Sequence, residues 1–529
     1  MFHLKHPVHS LIVLLCLFAC AGSEGSEPPT IVTYSIEIDA GTTTGLLRPL
    51  WGDHYDLSYT HFNYASEAGF PALLASLAPR SWRCSVGRWE VGFPPPAGGD
   101  STNAGVLQNV EREFYRGPNT LIGADDPANY EFTYLDSLLA GLVAAGVQPY
   151  VCFDYMPFTL ALEQDPLNAN NYNVSQPGAP FATLSYSNGI RTSPPSDPAV
   201  YARVVRNTMR HVRGLFAGAT DFGVEWFEIG NEPDLVDATG DPIPIFWTAT
   251  ESDFFDMYSA IATEVDGDAQ LTGQVQLGAG SFAFLPSTAG VAFLQSFLVR
   301  SATFTPRLDY LSFHSYGDLP SEHFGAFSLV QASTMAAGIS LPWVNAEWGR
   351  SLNGLDPVYN QIEHGNFRAK VLGFMQVFPF VLAHEALLRD VGTNDGELGL
   401  LRTGPAAHKP VSHVYQALNN LNTTLNALDV SNNPSSLSML SGRNDASSRV
   451  LTAIVLDDPG AGTTAQIDLS ILNLPWGAGA FDVTLSRVTE TSAGLQTVST
   501  EIQSGGALTL SFQLQTGQQG LYLVDLVEP

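Results

Sequence analysis

The sequence predicts an α/β protein: a TIM (β/α)8 barrel followed by a C-terminal antiparallel β-sandwich. Three observations predict it. From residue 48 to 424, short apolar runs alternate with amphipathic helical stretches, the order that builds a parallel sheet with helices outside it. Two of those runs break abruptly into polar turns that carry a carboxylate. They are Trp226-Phe227-Glu228-Ile229-Gly230-Asn231-Glu232-Pro233 and Trp343-Val344-Asn345-Ala346-Glu347-Trp348-Gly349. Buried parallel strands end this way at the mouth of a barrel. From residue 425 to 529 helical spacing disappears and short alternating runs separated by Gly, Asp and Ser take over, as in a sandwich.

The elements follow in order. Residues 1–20 read as a signal peptide: His3, Lys5 and His6 start it, and Leu11 to Ala19 is apolar but too short to span a bilayer. It ends in Leu17-Phe18-Ala19-Cys20, which resembles a bacterial lipoprotein signal with Cys20 as the lipidated residue; simple secretion with cleavage near Ala21 or Gly22 is the alternative. Residues 21–30 form a polar tether. The alternating run Ile31 to Ile38, within an N-terminal segment 31–47, is a strand outside the barrel that can pair with the C-terminal region.

The expected barrel strands are Leu50-Trp51-Gly52, Ser81 to Val86, Pro149 to Phe153, Gly223 to Ile229, Gln276 to Gly280, Leu308 to His314 and Trp343 to Glu347. An eighth falls within Phe380 to Leu388, a stretch that also reads as helix. Leu135, Leu138, Leu139 and Leu142 give one intervening helix, stopped by Gly146; Pro198 to Leu215 and Asp253 to Val265 give others. The Pro/Gly/Asn-rich stretches 92–130 and 164–198 are expected to be long loops at the substrate face.

The formal net charge is −29 with only 23 Lys and Arg, which argues against nucleic acid or an anionic membrane surface as partner. Any membrane association is expected through the lipid anchor alone. No Cys/His spacing suggests zinc, and no metal or cofactor is expected. Cys84 and Cys152 lie in apolar runs of neighbouring strands, either as two buried thiols or as a disulfide.

Two carboxylates at two strand ends suit cleavage of a glycosidic bond, one as proton donor and one as nucleophile. Glu232 and Glu347 are the candidates; such acids also serve as caps or ion-pair partners, but both end apolar runs beside aromatic residues. The chain here resembles glycoside hydrolase clan A, most closely family 39, the β-xylosidase and α-L-iduronidase family. The resemblance rests on Glu228 to Leu235, Phe246-Trp247, Asp309 to Tyr316, Asn345-Ala346-Glu347-Trp348 and Lys409 to Tyr415. It implies Glu232 as acid/base, Glu347 as nucleophile, Asn231 as the amide on the sugar 2-hydroxyl, and His314 and Tyr316 as lining of the sugar pocket. The implied activity is retaining hydrolysis of a plant- or algal-type oligo- or polysaccharide, β-xylosidase-like.

Arg83 is a possible cationic partner of Glu347, or a structural ion-pair former. Trp89 and Trp348 are either sugar-stacking platforms or core residues. Gly230 stands where family 39 usually has Trp, as in the family 79 β-glucuronidases and heparanases, which leaves a family 79-like β-glucuronidase as an alternative. The Trp expected near strand eight is not evident around His384 to Asp390. An alternative of another class is a non-catalytic glycan-binding surface lipoprotein.

Overall fold

The computed structural model describes residues 30–55, 70–86, 114–154, 156–162, 193–216, 218–237, 243–244, 246–283, 288–351, 357–386, 399–403, 406–431, 437–491, 493–515 and 517–529. The signal segment, most of the tether, Trp89, and most of the stretches 92–130 and 164–198 lie outside the described residues. Among the described residues no helix is long and apolar enough to cross a membrane.

The first strand, β1 (Thr30–Leu46), stands outside the barrel. Eight strands then close a parallel barrel: β2 (Asp53–Tyr55), β3 (Ser81–Ser85), β4 (Gln148–Phe153), β5 (Trp226–Ile229), β8 (Gln276–Phe282), β9 (Tyr310–Tyr316), β10 (Trp343–Gly349) and β11 (Phe380–Glu385). Two small hairpins sit between or beside them, β6 (Val236–Asp237) with β7 (Ile243–Pro244), and β12 (Leu401–Thr403) with β13 (Ala406–His408). One strand is corrected. Leu50–Gly52 is a 3-10 turn, and the first barrel strand is the polar Asp53–Tyr55 that follows it. Hydropathy pointed to the turn because Leu50 and Trp51 are fully buried, while the strand's own Asp53 is buried through Arg80 and Ser81. The ambiguous eighth element is a strand.

Local sequence explains the helices between. Asp197 caps Pro198–Val212 by accepting from Ala199 and Val200, with Pro198 in the first turn where its missing N–H costs nothing. Thr250 and Asp253 form a reciprocal capping box on Glu251–Asp266.

Register decides which side chains face into the barrel. Arg83, Tyr150 and Cys152 alternate inward, whereas Trp82, Cys84 and Val151 join the strand–helix core. Cys84 and Cys152 are therefore two buried free thiols, on opposite faces of adjacent strands. Two bulges then re-aim residues. In β10, Asn345 pairs with Phe313 but Glu347 pairs with His314, so Ala346 is an extra residue. In β8, Ala279 pairs with Leu311 and Phe282 with Phe313, which leaves one extra residue at Gly280-Ser281. A one-residue slip flips every later side chain to the other face.

The C-terminal strands are β14 (Asn426–Ser431), β15 (Ser438–Asn444), β16 (Arg449–Leu456), β17 (Thr463–Leu472), β18 (Ala480–Thr489), β19 (Gln496–Ser504), β20 (Leu508–Gln515) and β21 (Gly520–Val527). With β1 they make one nine-stranded sheet, ordered β19-β18-β21-β16-β15-β14-β1-β17-β20. β1 pairs antiparallel with β14 and parallel with β17, so the sheet is mostly antiparallel. It folds over on itself: Phe512 of β20 stacks on Tyr522 of β21 although the strands are not neighbours, and Ile36, Leu469, Val483 and Val524 share one core. Leu440, Leu451, Leu521 and Leu523 instead join the barrel's core, and Asn366 of the helix Ile362–Met375 donates 2.9 Å to the Leu456 carbonyl.

Candidate active site

The site gathers at the C-terminal ends of five strands, and Arg83 is its hub. Burial leaves this guanidinium 1 % exposed, yet its donors all find partners. Nε donates 2.8 Å to Glu228 Oε2, Nη1 donates 2.8 Å to Glu347 Oε1, and Nη2 donates 2.9 Å to Asn231 Oδ1 and 3.0 Å to Ser281 Oγ. Cys152 Sγ lies 3.3 Å from Nη2. A planar fork with five N–H groups can connect so many acceptors; an ammonium could not.

Glu232 sits on the turn after β5. Its φ is +42°, a left-handed conformation that costs a non-glycine residue about 1–2 kcal/mol. Its N–H donates 3.0 Å to the Ser281 carbonyl, and Ser281 is itself left-handed at φ +38°. Gly230, at φ +85°, leads into this turn; a Cβ there would come within 2.7 Å of the Phe254 ring. The turn thus holds the Glu232 side chain over the barrel mouth, 8 % exposed.

Glu347 reaches the same mouth because of the Ala346 bulge. Without it, alternation from the inward Val344 and Ala346 would turn residue 347 outward. Tyr316 donates 2.9 Å to Glu347 Oε2, and His314 Nδ1 lies 3.7 Å from that oxygen. His314 Nδ1 also makes a 2.8 Å hydrogen bond with Glu232 Oε1, in which the histidine tautomer and the glutamate share one proton. Carboxyl oxygens of Glu232 and Glu347 and the His314 Nδ1 all lie within 4.8 Å of one another. Such spacing also suits ligands of a divalent cation, but Arg83 already places a fixed positive charge on Glu347.

Asn231 is 3 % exposed. Its Oδ1 is held by Arg83, which fixes the amide, while its Nδ2 has no hydrogen-bond partner. An unpaired buried donor costs about 1–3 kcal/mol and is a ready donor for a ligand hydroxyl. Beside it a cleft is lined by Asp154, Ser193, Tyr201, Phe246, Trp247 and Phe254, among others. Asp154, at the end of β4, accepts a short hydrogen bond from Ser85 Oγ.

The structure thus brings together Arg83, Asn231, Glu232, His314, Tyr316 and Glu347. Trp348 is corrected from a possible sugar platform to a core residue. Following Glu347, it points outward, fully buried, donates 3.1 Å from Nε1 to the Ala383 carbonyl and packs under Arg368. Trp89 lies outside the described residues.

Sequence reasoning passed over Glu228. It is fully buried, and Tyr150 donates 2.8 Å to its Oε1. Burial raises its pKa, but the Arg83 charge and hydrogen bonds from Ser281 and Ser312 outweigh this, so its carboxyl stays below the ordinary glutamate value. The signal was present in Trp226-Phe227-Glu228-Ile229, where a charge breaks an otherwise apolar strand. Ser281 was passed over too, and its small, polar side chain offered no comparable signal. His384 at the end of β11 packs on Tyr150, 4.7 Å between ring centroids. Burial, then the charges of Arg83 and Arg80, hold its pKa well below the usual histidine value.

No model of a known protein family matches the chain. Solved structures do match its fold over almost its whole length. A glucosidase from Croceicoccus marinus has 16 % identity and a TM-score of 0.66, covering 94 % of this chain and 100 % of that one. A GH39 enzyme from Xanthomonas axonopodis pv. citri has 16 % identity and a TM-score of 0.63, covering 97 % and 100 %. A monomeric β-xylosidase from Caulobacter crescentus has 15 % identity and a TM-score of 0.65, covering 93 % and 99 %. At these identities the likeness establishes the fold: a barrel and β-domain arranged as in enzymes described as GH39.

Proposed function

We propose that this chain is a retaining glycoside hydrolase of the clan A, family 39 type, acting on a β-xyloside or similar sugar of a plant- or algal-type glycan. One observation carries the reading: Glu232 and Glu347 bring carboxyl oxygens within 4.8 Å at one barrel mouth. Retaining enzymes hold the pair ~5–5.5 Å apart, whereas inverting enzymes need ~6.5–9.5 Å to fit a water.

In this reading Glu347 Oε attacks the anomeric carbon while Glu232 gives its proton to the glycosidic oxygen. The C–O bond breaks, the aglycone leaves as an alcohol, and a glycosyl ester forms on Glu347. Glu232, now anionic, takes a proton from water as the water oxygen attacks the same carbon. Glu347 leaves as carboxylate and Glu232 is again protonated. His314 holds Glu232 in line, and Tyr316 orients the attacking carboxylate. Asn231 Nδ2 donates to the sugar 2-hydroxyl and orients it, so that the hydroxyl's own O–H donates to Glu347, a bond that strengthens as positive charge grows on the ring.

The test is a screen of aryl β-xylosides, glucosides, galactosides, glucuronides and α-L-arabinosides. Glu347→Ala is expected to lose turnover, with azide giving a product of inverted configuration. Glu232→Ala is expected to keep the first step on activated substrates, with azide restoring turnover and retention. Near wild-type rates in both variants would leave these acids a structural role. Preference for glucuronides would favour the family 79-like alternative that Gly230 suggests. We place the enzyme outside the cytoplasm, anchored through Cys20 by the lipoprotein-type signal.

A further inference from the structure

We propose that Glu228 is a positioning residue of this site: it is the permanent counter-ion that holds Arg83 in place while Glu347 carries the sugar. The proposal rests on the retaining reading above. No step of that reaction uses Glu228, yet its carboxylate is fully buried at the centre of the barrel, where an ion is costly unless paired. Both oxygens are committed, Oε1 to the Tyr150 hydroxyl and Oε2 to Arg83 Nε, each at 2.8 Å.

Fixing Nε fixes the plane of the guanidinium. Its other two nitrogens then fall on Glu347 Oε1 and Asn231 Oδ1, at 2.8 and 2.9 Å. One rigid group therefore sets the attacking carboxylate and the sugar-binding amide relative to each other.

The charge count gives Glu228 its role. In the free enzyme Arg83 faces two carboxylates, Glu228 and Glu347. Formation of the glycosyl ester turns Glu347 neutral. With Glu228 present, Arg83 stays paired in the ester and keeps Asn231 in place. Without it, Arg83 would bind free Glu347 more tightly and become an unpaired buried cation in the ester. Forming the ester would then be harder, and breaking it, which restores the Glu347 charge, would be easier.

The experiment compares wild type, Glu228→Gln and Tyr150→Phe on an activated aryl glycoside whose turnover is limited by ester breakdown. The expected result for Glu228→Gln is a fall in kcat/KM of about ten-fold or more, with kcat much less affected and the pre-steady-state burst diminished. Tyr150→Phe keeps the charge but loosens its hold, and is expected to show a milder split in the same direction. Equal losses of kcat and kcat/KM in the folded variants would overturn the proposal, since lost structure lowers both together. A Glu228→Gln crystal structure in which the guanidinium plane is unrotated and Arg83 Nη2 still holds Asn231 Oδ1 at 2.9 Å would also overturn it. If the wild type cleaves no glycoside, the functional reading fails; the position of Arg83 in the Glu228→Gln structure still decides whether Glu228 positions it. Should Glu228→Gln not fold, Tyr150→Phe decides by its kinetics.

Discussion

At the scale of single residues, the site is a set of charges and donors whose partners are nearly all accounted for. Among the described residues, Asn231 Nδ2 is a buried donor without a hydrogen-bond partner, and its use is a direct prediction. Asn231→Ala is expected to lower kcat by about 10²-fold, with a smaller change in KM, because the 2-hydroxyl loses the partner that orients its own O–H for the transition state. Steady-state kinetics on the best aryl substrate would check it. Buried histidines set the response to acid. Burial, then the nearby Arg368 charge, lowers the pKa of His54 to about 3; burial chiefly lowers that of His323 to about 4. In the unfolded chain both bind protons near ~6.5. The unfolded state therefore takes up more protons between these values, and stability falls as pH drops from ~6.5 towards 4. Urea midpoints measured across that range are expected to decline in wild type and to decline less in His54→Phe; a flat wild-type profile would contradict this.

At the scale of elements, bulges and glycines do what side-chain chemistry alone cannot. Glu347 is inward only because Ala346 is an extra residue in β10. Gly278 of β8 faces the barrel interior, where an added Cβ would fall 2.1 Å from the Tyr310 ring. Tyr310 is itself pinned by a 2.6 Å bond to the Phe227 carbonyl, one residue before Glu228. Gly278→Ala is expected to destabilise the barrel by about 1–3 kcal/mol. Thermal unfolding would reveal this as a lowered Tm, and an unchanged Tm would mean that Tyr310 has room to retreat.

At the scale of the whole molecule, β1 runs between β14 and β17, so the segment ahead of the barrel holds the C-terminal sheet together. The same segment emerges from the proposed lipid anchor. Full-length chain expressed in bacteria is expected in the membrane fraction, and its Cys20→Ser variant in the soluble exported fraction. Equal solubility of both, with mature N-termini beyond residue 20, would show simple secretion instead.

The sequence by itself determined the class of fold and singled out Glu232 and Glu347 as candidates. Periodicity records which face of an element is buried, and an apolar run ending in Asn231-Glu232 or Ala346-Glu347 records a strand reaching a polar mouth. Tertiary structure decided the rest. β3 placed Arg83 on residues 145, 148 and 264 positions away, contacts that no local pattern encodes. A bulge is a matter of register between strands, so the inward turn of Glu347 and the outward burial of Trp348 were invisible along the chain. Glu228 was legible as a misplaced charge, but only the closed barrel showed that its partner also holds Glu347. The first barrel strand was misread for the converse reason: Asp53 is polar and buried, and burial of a paired charge leaves no hydrophobic trace in a sequence.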